Sequence, residues 1–362
     1  TVFDANLASY RLESGTVFIS SGTGNINGTL GIWDLTALAG AQTLTLTGVD
    51  LAGNAATLTR QIFVGEPARL LVFGSKKDMG HPQGVAVDLT RGVAYVANAD
   101  KGEIRLYGLD GAFIKRYKDY RHPRAVAVDE SGNLYIAESG KDRIVKLGPT
   151  GNLLWKKGRT GRDPLEFRDP SGVAALGGTV AVSDTRNRRV QVLDGDGNFV
   201  REFPIPEGTG GALEPDDGDE DDEPGNRRGV PVGIALDGQG RIYVADAKNK
   251  RGLAYDPQGV LLREFGGPEI FRRPEGIAVS TSGDCVFLSD RIRDKITKFN
   301  GVGERNLTFG SQGNIKKDKP LPVETVFRRP IGLALDAAGT LWVADRNNEV
   351  IQRFGLPGTL TA

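Results

Sequence analysis

The chain has 362 residues, with Lys+Arg and Asp+Glu at 46 each and apolar residues at 39%. That length and apolar share allow two domains with packed cores, and the balanced charge excludes the basic surplus of a general nucleic-acid binder. Glycine, at 50 residues, points to many tight turns, and the single cysteine, Cys285, excludes an intrachain disulfide and a thiolate metal cluster.

Residues 1–65 come first and have their own texture. Leu44-Thr45-Leu46-Thr47 and Phe63-Val64 alternate as sandwich strands do, and Asp50-Leu51-Ala52-Gly53-Asn54 reads as a turn. With the phrase Leu30-Gly31-Ile32-Trp33-Asp34-Leu35-Thr36, the segment resembles bacterial Ig-like or fibronectin-III-like modules. That resemblance implies an extracellular or cell-surface setting. A full sandwich needs about 100 residues, so residues 1–65 are expected to be a partial Ig-like β-sandwich, either a fragment of a longer protein or completed by another chain. Trp33 and Leu46 should face its core, with one sheet edge open or occupied by another chain.

From residue 66 onward one phrase recurs: proline, any residue, a small residue, then an apolar–Ala–apolar triplet. It stands at Pro82-Gln83-Gly84-Val85-Ala86-Val87-Asp88 and Pro123-Arg124-Ala125-Val126-Ala127-Val128-Asp129, and again from Pro170, Pro231, Pro274 and Pro330. A second phrase follows each copy, as in Tyr95-Val96-Ala97-Asn98, Tyr243-Val244-Ala245-Asp246 and Trp342-Val343-Ala344-Asp345. Two further apolar runs separated by Gly-bearing turns complete each unit, so each unit is four short strands. The last unit has only three strands. Leu70-Leu71-Val72-Phe73-Gly74 lies ahead of the first unit and is expected to pair beside Val350–Phe354, closing a ring and hiding two sheet edges. The apolar run Cys285-Val286-Phe287-Leu288 predicts a buried, inert thiol.

These phrases resemble the NHL repeat over about residues 68 to 356. The resemblance implies a six-bladed β-propeller, and in this family ligands often sit at one end of the central channel. Some members are lyases or lactonase-like enzymes with a metal on the channel axis. A zinc site of that kind needs several His ligands, but the chain has only His81 and His122, each just before the proline of an inner strand. Asp169 holds the same position in the third unit and lies across the ring. The acids Asp184, Asp246, Asp290 and Asp345 recur at the end of each second strand, which marks them as turn-holding residues rather than calcium ligands.

The loops that lead into the inner strands are rich in arginine: Tyr120-Arg121-His122-Pro123, Phe167-Arg168-Asp169-Pro170, Phe271-Arg272-Arg273-Pro274 and Phe327-Arg328-Arg329-Pro330, with Arg227-Arg228 before Pro231. The aromatic residue of each loop should plug the gap between blades. The loops joining strands two and three share this face and add Arg186, Arg188, Arg189, Lys248, Lys250, Arg251, Arg291, Arg293 and Lys295. The neutral total therefore hides one basic face. The insertion Glu214–Glu223 carries eight carboxylates and is expected to compete with an anionic partner for that face at low salt.

The sequence thus describes an all-β chain: a partial Ig-like β-sandwich over 1–65 and a six-bladed NHL β-propeller over 66–362. The expected function is a non-enzymatic binding or scaffold propeller of a larger bacterial secreted or cell-surface protein. It would engage a protein, glycan or other anionic partner through Arg121, His122, Arg168, Arg228, Arg272, Arg273, Arg328 and Arg329, with no cofactor and no bound metal. Membrane insertion is not expected, because no apolar run reaches about 18 residues. NHL propellers that bind RNA use a comparable face, but RNA requires intracellular exposure, which the Ig-like resemblance opposes. The alternative function is a lyase or lactonase-type hydrolase at the channel mouth.

Overall fold

The computed structural model describes residues 7–14, 17–23, 40–64, 67–75, 77–208, 228–316, 324–356 and 360–361. The chain divides into two compact units: residues 1–70 with 338–341 and 354–362, and residues 71–337 with 342–353.

The smaller unit shows one antiparallel sheet of five strands, in the order Val17–Thr23, Leu7–Ser14, Gly40–Asp50, Ala55–Val64 and Leu360–Thr361. Thr and Leu alternate along Gly40–Asp50, which pairs over its length with Ala55–Val64, Leu46 opposite Leu58. Leu46 is half-buried and Leu58 is exposed, while Tyr10 is buried. The outer edge of Ala55–Val64 is taken by this chain's own C-terminal strand, Leu360 pairing with Ile62. Trp33 and the phrase Leu30–Thr36 lie outside the described residues.

The larger unit is built from six four-stranded antiparallel sheets among the described residues. Their inner strands are Pro82–Asp88, Pro123–Val128, Pro170–Leu176, Pro231–Leu236, Pro274–Val279 and Pro330–Leu335, and the sheets are numbered one to six in that order. In sheet six the outermost strand is Ala68–Phe73, which lies beside Val350–Gly355 as the repeat pattern required. Second strands such as Val93–Asn98 are buried at every residue, and outer strands such as Phe113–Tyr117 are mostly exposed. This gradient follows from packing the sheets face to face: middle strands have a neighbouring sheet on both sides and read as apolar runs, and edge strands do not.

Apolar clusters join neighbouring sheets. Tyr95 and Ile104 of sheet one pack with Leu134 and Ile136 of sheet two, and Phe73 and Trp342 of sheet six pack with Val96 and Tyr107 of sheet one. The leading-loop aromatics act as inter-sheet plugs: Phe167, Phe271 and Phe327 are essentially inaccessible, and Phe167 sits among Tyr135 of sheet two and Val180 of sheet three. Cys285 is only partly buried; it opens its strand at the sheet end, which corrects the expectation of a buried thiol.

The small residue two places after each proline has a steric cause. A Cβ on Gly276 would lie 1.8 Å from the Ile331 carbonyl oxygen, and one on Gly332 would lie 2.3 Å from that of Gln83. The same clash recurs from Gly84 to Arg124, Gly172 to Val232 and Gly233 to Glu275. Each inner strand therefore touches the backbone of the next, and sheet six returns to sheet one.

Candidate functional site: the arginine-lined channel mouth

The inner strands surround a cavity of about 470 Å³, to which each contributes its first three residues after the proline. The residue directly after the proline differs from sheet to sheet: Gln83, Arg124, Ser171, Val232, Glu275 and Ile331. The rim is completed by leading loops and by turns after the second strands. In total the lining holds seven arginines and two carboxylates, an excess of five positive charges.

Each carboxylate is shared between two arginines. Asp169 lies 3.0 Å from Arg124 Nη1 and 4.0 Å from Arg186 Nε. Glu275 lies 3.0 Å from Arg273 Nε and 3.1 Å from Arg291 Nη1. Arg188 donates to the Arg228 carbonyl at 2.6 Å, and Arg346 donates to Asn347 Oδ1 at 3.2 Å. Burial lowers the pKa of Arg291 most, and the charges of Arg273, Arg329 and Arg346 push it the same way, against Glu275.

The acid that closes each second strand organises the loops around this mouth. Backbone N–H groups of Arg121, Arg168, Arg272 and Arg328 donate to Glu138, Asp184, Asp290 and Asp345 at 2.6–2.8 Å. In sheets three and four the same acid also holds an arginine of the third strand, Arg189 Nε at 2.8 Å from Asp184 and Arg251 Nε at 3.1 Å from Asp246. Burial raises the pKa of Asp184 and Asp246, while their hydrogen bonds oppose the shift. These acids are structural clamps. Arg189 and Arg251 are buried with them, so the basic face lacks these two arginines that the sequence assigned to it.

Of the arginines and histidine expected to bind a partner, Arg273 and Arg329 line the cavity. Arg121, His122, Arg168, Arg228 and Arg272 are exposed outside its lining. Arg328 lines a separate crevice of about 1530 Å³ with His81. His81 pairs with Asp100, and its Nε2 lies 3.9 Å from Glu349. The two histidines are thus not brought together at the mouth, and Asp169 is occupied by arginines. No group of three His, Cys, Asp or Glu side chains among the described residues could hold a metal ion. Arg124 and Arg346 escaped the sequence reading. The signal for Arg124 was available, since the variable residue after each proline points into the channel in all six copies. The acidic insertion Glu214–Glu223 lies outside the described residues.

The NHL repeat family matches residues 167–193 and 327–354, one stretch in sheet three and one in sheet six. The larger unit is a β-propeller that carries NHL repeats. Among curated proteins, the propeller is similar to mouse NHL repeat-containing protein 3, 35% identical over 81 residues, which are 21% of this chain and 23% of that protein. It is also similar to the Drosophila melanogaster protein brain tumor, 23% identical over 150 residues, or 41% of this chain and 12% of that protein. The chain therefore spans less than a quarter of the length of these relatives. Among solved structures it resembles a streptogramin B lyase, with a TM-score of 0.54, 16% identity, and coverage of 80% of this chain and 96% of that one. A protein of unknown function from Bacteroides thetaiotaomicron aligns with a TM-score of 0.60 and 14% identity over 96% of this chain and 90% of that one. At such identities the likeness is one of fold.

Proposed function

We propose that this chain is a non-enzymatic binding module, a six-bladed propeller whose arginine-lined mouth engages an anionic partner. The observation that carries this reading is the surplus of five arginine charges over two carboxylates around one cavity. A rim with a net excess of one sign, set on low-dielectric walls, concentrates field and draws in ligands of the opposite sign. The exposed arginines of the leading loops, Arg121, Arg168, Arg272 and Arg328, extend the same face outward and suit a partner larger than the cavity. An anionic polymer, such as an acidic glycan, fits both features. The Ig-like texture of residues 1–65 supports placing the module in a secreted or cell-surface protein of bacterial type, with the N-terminal sheet as part of a sandwich.

The test is binding of a heparin-like polyanion across a salt series. Wild-type protein should bind at low salt and release as salt rises. Loss of Arg124 and Arg186 to glutamine should weaken binding, since both line the mouth. Absence of polyanion binding at low salt removes the polymeric partner, and absence of binding by small oxyanions as well sinks the reading.

The alternative, a channel-mouth lyase or lactonase-type reaction, has the fold likeness in its favour. One of the lyase structures is a catalytically inactive histidine-to-alanine variant of the Staphylococcus aureus enzyme with quinupristin. In this chain neither histidine lines the cavity, which favours the binding reading.

A further inference from the structure

The six sheets repeat one backbone, so equivalent residues can be compared directly. Two positions of the repeat flank the entry to the inner strand: the residue before the proline and the residue after the second-strand acid or Asn98. In sheets one to four these are His81 with Ala99, His122 with Ser139, Asp169 with Thr185 and Val230 with Ala247. In sheets five and six they are Arg273 with Arg291 and Arg329 with Arg346. All four of these arginines line the cavity. Packing does not require them, because four other sheets build the same ring without an arginine at either position.

Stability does not explain them either. Glu275 is the one carboxylate that sheets five and six contribute to the lining, and it bridges Arg273 and Arg291. Three positive charges remain on one arc. Arg291 Nε is buried without a hydrogen-bond partner among the described residues, a costly state for a charged donor. Crowded guanidinium groups repel one another, and an anion between them turns that repulsion into attraction. Forked guanidinium groups match an acceptor that presents several oxygens in a compact volume. A group with two charges and three free oxygens uses the surplus better than a carboxylate, which offers one charge and two oxygens.

We infer that the sheet five and six arc of the mouth is a clamp for a doubly charged tetrahedral oxyanion, the phosphate monoester group of a ligand. This rests on the anionic-partner reading above and names the group that is recognised. Arg329 and Arg346 close on the anion from sheet six, and Arg273 and Arg291 from sheet five, with Glu275 fixing the orientation of the sheet five pair.

The test is calorimetric titration of the full chain with inorganic phosphate, sulfate and acetate at equal ionic strength. Phosphate at pH 8 and sulfate should bind at one site, and acetate should bind at least about tenfold more weakly, a difference of 1.4 kcal/mol. Phosphate should weaken as it loses its second charge on acidification from pH 8 to about pH 5, and sulfate should not. Arg329→Gln with Arg346→Gln should lower oxyanion affinity at least about tenfold, whereas Lys118→Gln with Lys156→Gln, a charge-matched change on exposed residues of other sheets, should not. Circular dichroism melts confirm that each variant is folded. The clamp is refuted if acetate binds as tightly as sulfate, if Arg124→Gln with Arg186→Gln costs as much oxyanion affinity as the sheet six pair, or if no oxyanion binds while the heparin-like polymer does. In that last case the anionic-partner reading survives. If oxyanions bind and the polymer does not, the clamp stands and the polymeric partner falls.

Discussion

Around the second-strand acid, sheets two to four and sheets five and six place arginine differently. Five residues after the second-strand acid, the third strand opens with Arg143, Arg189 and Arg251 in sheets two, three and four. Each pairs with its acid, at 2.6, 2.8 and 3.1 Å, behind the turn and away from the channel. In sheets five and six that position holds Lys295 and Val350, and the arginine stands directly after the acid as Arg291 and Arg346, where it lines the cavity. Asp345 then has amides for partners, accepting from Asn348 Nδ2 at 2.7 Å and Gln352 Nε2 at 2.8 Å. An arginine that every repeat could carry and that meets an acid serves the fold. An arginine moved out of that pairing stands on the channel wall, where the proposed clamp needs it.

The comparison can be broken first at the feature both arcs share. Gly276→Val should be the most damaging change, at about 5 kcal/mol or more, because its Cβ would sit 1.8 Å from a backbone carbonyl of the neighbouring inner strand. Sheet two already tolerates Ala125 at the equivalent position, so a thermal melt of Gly276→Val that matches wild type would show that the ring is not closed by these contacts.

Next comes the acid without an arginine. Burial raises the Asp345 pKa to about 7, against the hydrogen bonds from Asn348, Arg328 and Gln352. Between the ordinary carboxylate pKa and about 7, the folded protein holds a proton that the unfolded chain has released. Stability should therefore fall as pH rises through that window and level off above it, by up to about 4 kcal/mol for a shift of this size. Asp345→Asn should flatten this slope in denaturant titrations at pH 4 and pH 7, and an unchanged slope would remove Asp345 as its source.

Removing the arginine from a paired acid comes third. Arg251→Met should destabilise by about 3 kcal/mol, because Asp246 is left buried without its cation. A loss below about 0.5 kcal/mol in urea unfolding would place the pair among dispensable contacts. The smallest effect on stability belongs to Arg346→Gln, within about 0.5 kcal/mol, since its side chain meets only an amide oxygen among the described residues. Its polyanion affinity should nevertheless fall. A large stability loss would show that the sheet six arginine is structural after all.

Much of the propeller was legible because its constraints are local and repeated. The proline, the small residue and the apolar triplet recur because every inner strand starts in the same way and passes its neighbour at the same close distance. The pairing of Leu70–Phe73 with the last unit could be read from a missing strand at one end and a spare one at the other. The candidate site was legible only as a face. The leading loops contain paired arginines, as in Arg272-Arg273 and Arg328-Arg329, and only the second of each pair lines the cavity. The first of each pair gives its backbone N–H to the acid and keeps its side chain exposed.

The all-β class, the four-strand unit and the concentration of arginine at one end of the strands could be read directly from the sequence, because strand periodicity and turn chemistry are written residue by residue. Tertiary structure alone decided which arginines meet an acid and which face the channel. That choice depends on which groups converge when strands far apart in the chain are brought side by side: Glu275 with Arg291, and Asp169 with Arg124, become partners only in the folded ring.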